Sequence, residues 1–262
     1  MKKMANENVV GLIPAAGMGT RLGLPFPKEL YPIVSKSEIK PIAQFTLSQM
    51  TKAGIGNIIF VINDQKHQIV EYFGDGGKFD CRISYVKQDL DYQSLSNSTS
   101  PGLTQALNSA YFSTRNKTVV FGMPDTLMYP DNAIGIAFNL FEPQDDILLM
   151  LFLTRKPEKF GMVRMDDRGE IQEIVDKPKF TDLTWMWGGI IWNPQFTELI
   201  NYCITRRKTS DFATIINMAI KESMRVRGVK FQTGRFLDLG NIDDINDLSQ
   251  WTKLKNVKCQ SC

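Results

Sequence analysis

The chain has 262 residues, with 31 basic and 28 acidic side chains, a formal net charge of +3, 43% hydrophobic and 23% charged content. This mixed surface excludes a dedicated nucleic-acid or membrane binder, which shows clustered Lys and Arg; the runs Arg206-Arg207-Lys208 and Arg225-Val226-Arg227 are too short for that and read as solvated helix ends. No apolar stretch is long enough to span a bilayer, and the start, MKKMANEN, lacks the apolar core of a signal peptide, so a cytoplasmic location is the expectation.

Val9-Val10-Gly11-Leu12-Ile13-Pro14 reads as a buried strand that empties into the turn Ala15-Ala16-Gly17-Met18-Gly19-Thr20-Arg21-Leu22, with Pro27-Lys28-Glu29-Leu30 beyond it. Glycines in such a turn let backbone N–H groups converge on a phosphate without a Cβ in the way. Arg21 and Lys28 then neutralise charge that the amides offset only in part. A Walker loop is excluded because no Gly-Lys-Ser/Thr follows the first glycine at its spacing. A dinucleotide fingerprint is excluded because Leu22 stands where a third Gly or Ala is needed. The stretch predicts a polyphosphate cradle.

Helical spacing of Ile42, Phe45, Leu47, Met50 and Ala53 predicts a helix over 41–53, stopped by Gly54. A strand at 57–62, a helix at 65–73, a strand at 82–87, a helix at 103–112, a strand at 118–121, a helix at 134–141 and a strand at 146–153 follow. The one histidine, His67, falls on the polar side of its helix, which all but excludes Ser–His–Asp chemistry and His-rich metal centres. The polar tract 94–100 reads as a loop. This alternation predicts an α/β, Rossmann-like, doubly wound and mostly parallel (mixed) sheet with helices on both faces and ligands at the carboxyl ends of the strands.

The rhythm then changes. A hairpin at 161–165 and 170–175 turns at Asp166-Asp167-Arg168-Gly169, and a strand at 187–192 contains Gly188-Gly189. Helices at 195–205 and 211–224, strands near 229–233 and 236–239, and a helix from about Asp243 complete the chain. No Ser/Gly-rich linker divides it, so residues 1–262 read as a single domain with a nucleotide half (about 1–153), an acceptor half (about 154–240) and a C-terminal helix and tail (241–262). Cys259 and Cys262 form a C-x-x-C in that tail without a partnering His or Cys cluster, and read as a frayed end.

Asp125 and Asp238 each stand at a predicted strand end. Singly, each reads as a turn cap; beside the cradle, the pair reads as the protein's contribution to a Mg²⁺ site, since that ion takes one or two carboxylates and completes its shell with water and phosphate oxygens.

On these motifs the chain resembles the sugar-1-phosphate nucleotidyltransferases over nearly its full length, most closely the glucose-1-phosphate thymidylyltransferases and uridylyltransferases. The resemblance implies that Ala15, Ala16, Gly17, Gly19, Thr20 and Arg21 hold the nucleotide phosphates and that Asp125 and Asp238 hold Mg²⁺. It implies that Gln88 and the Pro101-Gly102-Leu103 segment, through Gly102, read the base. It also implies that Gly161, Asp176 and Lys177 contact the acceptor phosphate, with the Gly188-Gly189 strand beside the sugar. Residues 89–100 read as an insertion beside the base, and Ser210-Asp211-Phe212 departs from the family's usual helix start near the acceptor.

The implied reaction transfers NMP from an NTP (dTTP, UTP or CTP) to a sugar 1-phosphate of the glucose type and releases pyrophosphate, with Arg21, Lys28, Asp125 and Lys177 in the catalytic roles. Its implied partners are the NTP and a phosphorylated small molecule, with no nucleic acid or membrane and with a homo-oligomer allowed. Two other readings stay open: a cytidylyltransferase for an unusual phosphorylated or phosphonate acceptor, and a non-catalytic nucleotide-sugar binding module.

Overall fold

Strand β1 (Val9–Pro14) is buried at every position and lies near the middle of a nine-stranded sheet. The computed structural model of the protein describes residues 8–19, 22–34, 38–88 and 102–245, together with 248 and 251. Alternate β1 side chains serve opposite sides of the sheet: Val10 and Leu12 join one hydrophobic cluster, Val9 and Ile13 the other. Burying side chains of this size contributes about 1.5–3 kcal/mol each, so β1 anchors both layers.

Four strands from the first half of the chain run parallel, in the order β6 (Thr118–Gly122), β1, β4 (Asn57–Ile62), β5 (Arg82–Lys87). Helix α1 (Ile42–Lys52) covers one face through Ala43, Leu47 and Met50. Helix α3 (Leu103–Ser109), which follows α2 (His67–Phe73), covers the other through Ala106 and Leu107. His67 is exposed, as its helix position predicts. The predicted helix over 103–112 breaks at Ala110 and resumes as the short helix Tyr111–Thr114.

The same sheet continues into strands from the second half of the chain. Strand β11 (Trp185–Trp192) runs antiparallel to β6 along one edge and to β8 (Ile147–Leu153) along the other. Its Met186 pairs instead with Met162 of β9 (Gly161–Met165), so β9 follows β6 along the same edge of β11. The register shifts between Trp187 and Gly189, which leaves Gly188 as an extra residue. β10 (Ile171–Asp176) closes the hairpin with β9, and β12 (Val226–Phe231) lies parallel to β8. The sheet is thus mixed, parallel from β6 to β5 and largely antiparallel around β11.

Two small sheets complete the fold: β2 (Pro32–Val34) with β3 (Ile39–Pro41), and β7 (Thr126–Tyr129) with β13 (Arg235–Asp238); of these strands the sequence pattern predicts only β13. A third cluster, with Leu127, Ile42, Leu239 and Trp251, packs beneath the second of these. Among the described residues no helix is long and apolar enough to cross a membrane.

Candidate active site

Because β1, β4, β5 and β6 are parallel, the residues that follow them emerge along one edge of the sheet. The turn after β1 starts with Ala15, whose N–H donates to the Val61 carbonyl at 2.7 Å and extends the β1–β4 pairing. Ala16 is buried and Gly17 exposed. A Cβ on Gly17 would meet nothing within 4 Å, so that side of the turn is open, and Gly19 adopts the left-handed φ of +66° that glycine tolerates without strain. Ala15, Ala16, Gly17 and Gly19 therefore lie together as the sequence requires. Thr20 and Arg21 lie outside the described residues.

Lys28 begins a 3₁₀ turn, Lys28–Leu30, and its ammonium donates to Asp125 Oδ2. Burial works to lower the Lys28 pKa, but Asp125, then Glu29 and Asp238, outweigh it and hold the ammonium above the ordinary lysine value. Asp125 follows β6 and is 2% exposed. Its backbone carbonyl accepts from Leu239 N–H at 2.9 Å, and Asp238 stands opposite Thr126 in the β7–β13 register. The short β7–β13 sheet thus brings two aspartates more than a hundred positions apart to one place. Asp125 binds the lysine, and Asp238 closes strand β13.

The donor set fits a hard divalent cation. Asp125 Oδ1 is buried and has no hydrogen-bond partner among the described residues. A buried carboxylate oxygen left so is costly unless another group meets it. No cluster of three or more His, Cys, Asp or Glu forms among the described residues. The two aspartates alone match the one or two carboxylates that Mg²⁺ takes from a protein.

Gln88 follows β5, donates its N–H to the Ile62 carbonyl at 2.7 Å and is 4% exposed, while its side-chain Nε2 lacks a partner among the described residues. A buried amide with an unspent donor suits reading of a base edge. Gly102 is exposed at the start of α3. Pro101 and the predicted insertion at 89–100 lie outside the described residues, as do Cys259 and Cys262.

Gly161 and Asp176 are paired neighbours at the open end of the β9–β10 hairpin. Lys177 continues it: its N–H donates to the Phe160 carbonyl at 3.0 Å, its Nζ sits 3.0 Å from Asp176 Oδ2, and its φ is +45°. The Lys177 side chain is 60% exposed. Gly161, Asp176 and Lys177 thus form one local group. Gly188 and Gly189 are buried, and the structure gives each a packing reason of its own: a Cβ would lie 2.6 Å from the Phe236 ring at Gly188 and 2.4 Å from Met150 Cε at Gly189. Asp211 accepts from Thr214 N–H at 2.8 Å as the cap of helix α7 (Phe212–Lys221), which accounts for that departure structurally.

A cavity of about 230 Å³ opens between the segment that follows β8 and the end of β13. Arg155, Lys156 and Lys159 line it on one side and Phe236, Asp238 and Asp244 on the other, so it brings cations beside the second aspartate. Lys159 pairs with Asp244 at 2.8 Å, and Asp244 also accepts from Gly240 and Asn241 N–H, fixing the turn that follows Asp238. A larger open groove of about 740 Å³ lies between α3 and helix α6 (Pro194–Tyr202), and contains none of the predicted site residues.

Sequence reasoning missed Asn63, Lys66, Lys159 and Asp244. Asn63 Nδ2 donates to the Ala16 carbonyl at 2.6 Å, and Lys66 forms a 2.8 Å pair with Glu29 in which both side chains are almost fully buried. Burial pushes the Glu29 carboxyl above the ordinary range, with Lys66 opposing it. The one available signal was Asn63 itself, a capping residue between a strand and a helix.

The model of the nucleotidyl transferase family matches residues 10–253. A Methanocaldococcus jannaschii protein, provisionally assigned as a UTP–glucose-1-phosphate uridylyltransferase, is 37% identical over 275 aligned positions, covering 92% of this chain and 90% of its own. The glucose-1-phosphate thymidylyltransferase of Streptomyces griseus is 25% identical over 254 positions, covering 91% of this chain; the chain spans only 64% of that relative's length. Among solved structures, a UDP-glucose pyrophosphorylase complexed with UDP-glucose superposes with a TM-score of 0.75 at 22% identity, covering 94% of this chain and 98% of that one. That likeness is one of fold.

Proposed function

The chain belongs to the nucleotidyl transferase family, and from that premise we propose that it transfers UMP or dTMP from UTP or dTTP to a sugar 1-phosphate of the glucose type, releasing pyrophosphate. The observation that carries this reading is the meeting of Lys28, Asp125 and Asp238 beside the open glycine turn. A phosphate cradle, a buried lysine and paired carboxylates are the parts that phosphoryl-type transfer needs.

In the reaction, an oxygen of the acceptor phosphate attacks the α-phosphorus in line, and the bond to the departing pyrophosphate breaks. The nucleophile is already an oxyanion, so no strong general base is required, and the exposed His67 has no part to play. The turn amides at Gly17 and Gly19, with Arg21, bind the β- and γ-phosphates; Lys28 offsets charge at the α-phosphate. Asp125 and Asp238 would hold Mg²⁺, which when bound supplies charge neutralisation on the phosphates. Gln88 presents its amide to the pyrimidine edge. Lys177, with Gly161 and Asp176, orients the acceptor phosphate so that two anions meet in line.

Pyrophosphate release tests the reading, assayed with UTP, dTTP, CTP, ATP and GTP against glucose 1-phosphate and a set of other sugar phosphates in Mg²⁺. Release with UTP or dTTP that depends on a sugar 1-phosphate supports it. Release only with CTP, or only with a non-sugar phosphate or phosphonate, replaces the substrate assignment. Tight NTP binding without release under any combination points instead to a binding module.

A further inference from the structure

The phosphate cradle is built from two separate pieces of chain, the Ala15–Gly19 turn and the Lys28–Leu30 turn, and one short segment grips both. β4, the parallel neighbour of β1, ends at Ile62, and Asn63–Lys66 follow. Asn63 is 2% exposed; its Nδ2 donates to the Ala16 carbonyl at 2.6 Å while its Oδ1 accepts from Gln65 N–H at 2.8 Å. Lys66 N–H returns to the Asn63 carbonyl at 3.1 Å, closing the turn, and the Lys66 ammonium reaches Glu29 Oε2 at 2.8 Å. Glu29 is the residue next to Lys28. Two side chains, three positions apart, therefore hold the amide side of the cradle and the lysine side in register.

We propose that Asn63 and Lys66 are positioning residues of the cradle: Asn63 sets the glycine turn that receives the NTP phosphates, and Lys66, through Glu29, sets Lys28. The inference rests on the nucleotidyl-transfer reading. A buried ion pair is poor evidence of stabilisation, because well-packed apolar residues of similar volume commonly serve as well. Lys66 and Glu29 are 3% and 1% exposed, so the pair carries its full desolvation cost. What an apolar pair cannot supply is a directional link at a fixed length. Asn63 is likewise directional. Its amide must donate to one backbone group and accept from another at once, which an isosteric Asp cannot do.

Three variants test the proposal: Asn63→Asp, Lys66→Met, and the double variant Glu29→Met/Lys66→Met. Each is measured for melting temperature, for UTP and dTTP affinity by calorimetry, and for kcat and acceptor KM in the pyrophosphate assay. The expected result for Asn63→Asp is NTP affinity weaker by tenfold or more, with acceptor KM changed less than twofold. Lys66→Met lowers kcat at least tenfold. The double variant recovers melting temperature toward wild type without recovering kcat. Recovery of both kcat and melting temperature in the double variant, or equal weakening of NTP and acceptor in Asn63→Asp, reduces the segment to a structural role and overturns the proposal. A wild-type protein that binds UTP or dTTP but releases no pyrophosphate defeats the nucleotidyl-transfer reading instead. In that case the affinity of Asn63→Asp for the same nucleotide still decides: loss supports positioning, and wild-type affinity overturns it.

Discussion

Lys28 donates to one carboxylate oxygen of Asp125, and the other oxygen, Oδ1, is buried without a hydrogen-bond partner among the described residues. One aspartate thus faces two tasks, holding the lysine and offering a spare oxygen to a cation. Asp238 stands one register step away across the β7–β13 pair, so the site has a second carboxylate in reserve.

Asp125→Asn separates those tasks from folding. It removes the carboxylate charge that holds Lys28 and attracts a cation, and replaces one of the two oxygens by an NH₂ that cannot ligate, at nearly unchanged volume. Under the proposed reaction, kcat/KM should fall by about three orders of magnitude or more, in line with loss of a metal ligand. Mn²⁺ binding followed by electron paramagnetic resonance should weaken in parallel. Wild-type Mn²⁺ affinity and turnover in this variant would remove Asp125 from the site.

Gly161 tests how closely the β9–β11 region is packed. An added Cβ would lie 2.3 Å from Trp187 Nε1, closer than real contacts allow. The Trp187 ring already packs against Phe121 and Phe212, so it has little room to yield. Gly161→Ala should therefore destabilise the fold by about 1–3 kcal/mol, the usual cost of overpacking, and should raise acceptor KM while leaving NTP affinity unaltered. An unchanged melting temperature would show that Trp187 moves freely.

These residues differ in how far the sequence revealed them. The strands at 57–62 and 82–87 were legible to the residue, because an apolar run or an alternating one bounded by turn residues carries its own signal. Strand β7 was not. Thr126-Leu127-Met128-Tyr129 has no period of its own and becomes a strand by pairing with Arg235–Asp238, far along the chain. The same distance hid the Lys66–Glu29 pair, since a lysine after a strand reads as surface until its partner is located. Gly17, Gly19, Lys28 and Asp125 stand out in the sequence as particular residue types in a fixed order, and the structure brings Lys28 to Asp125 beside Gly19. Gly188 and Gly189 were read as sugar neighbours, and the structure adds Phe236 and Met150 as reasons for their lack of a side chain.

Cys81 should be a sluggish nucleophile although it is only partly buried. Burial, with Asp80 and Asp75 nearby, pushes its thiol up to about 11. A raised value means that the thiolate is scarce below that pH and appears only as pH rises through it. Relative to a free cysteine near 8.5, its thiolate at pH 8 is scarcer by about two orders of magnitude. Iodoacetamide labelling of the Cys81 peptide, followed by mass spectrometry, should be correspondingly slow at pH 8. Labelling at the rate of free cysteine would contradict the raised value.

Lys177 offers the sharpest separation of structure from function, because its backbone and its ammonium make opposite demands. Its φ of +45° is left-handed, a conformation that costs a non-glycine residue roughly 1–2 kcal/mol. Its ammonium is exposed and meets Asp176 at 3.0 Å, an interaction of little worth to stability in water. For folding alone, glycine is the better residue here. For binding an acceptor phosphate, the lysine supplies a charge-assisted contact that brings two anions together. Lys177→Gly should therefore raise the melting temperature, while Lys177→Ala, which keeps the strain, leaves it nearly unchanged. Both variants should raise acceptor KM to a similar degree and leave NTP affinity intact, since the strain differs between them and the missing ammonium does not. A stabilised Lys177→Gly with wild-type acceptor KM would leave the lysine on the surface, and equal losses for NTP and acceptor would undo the division into two halves.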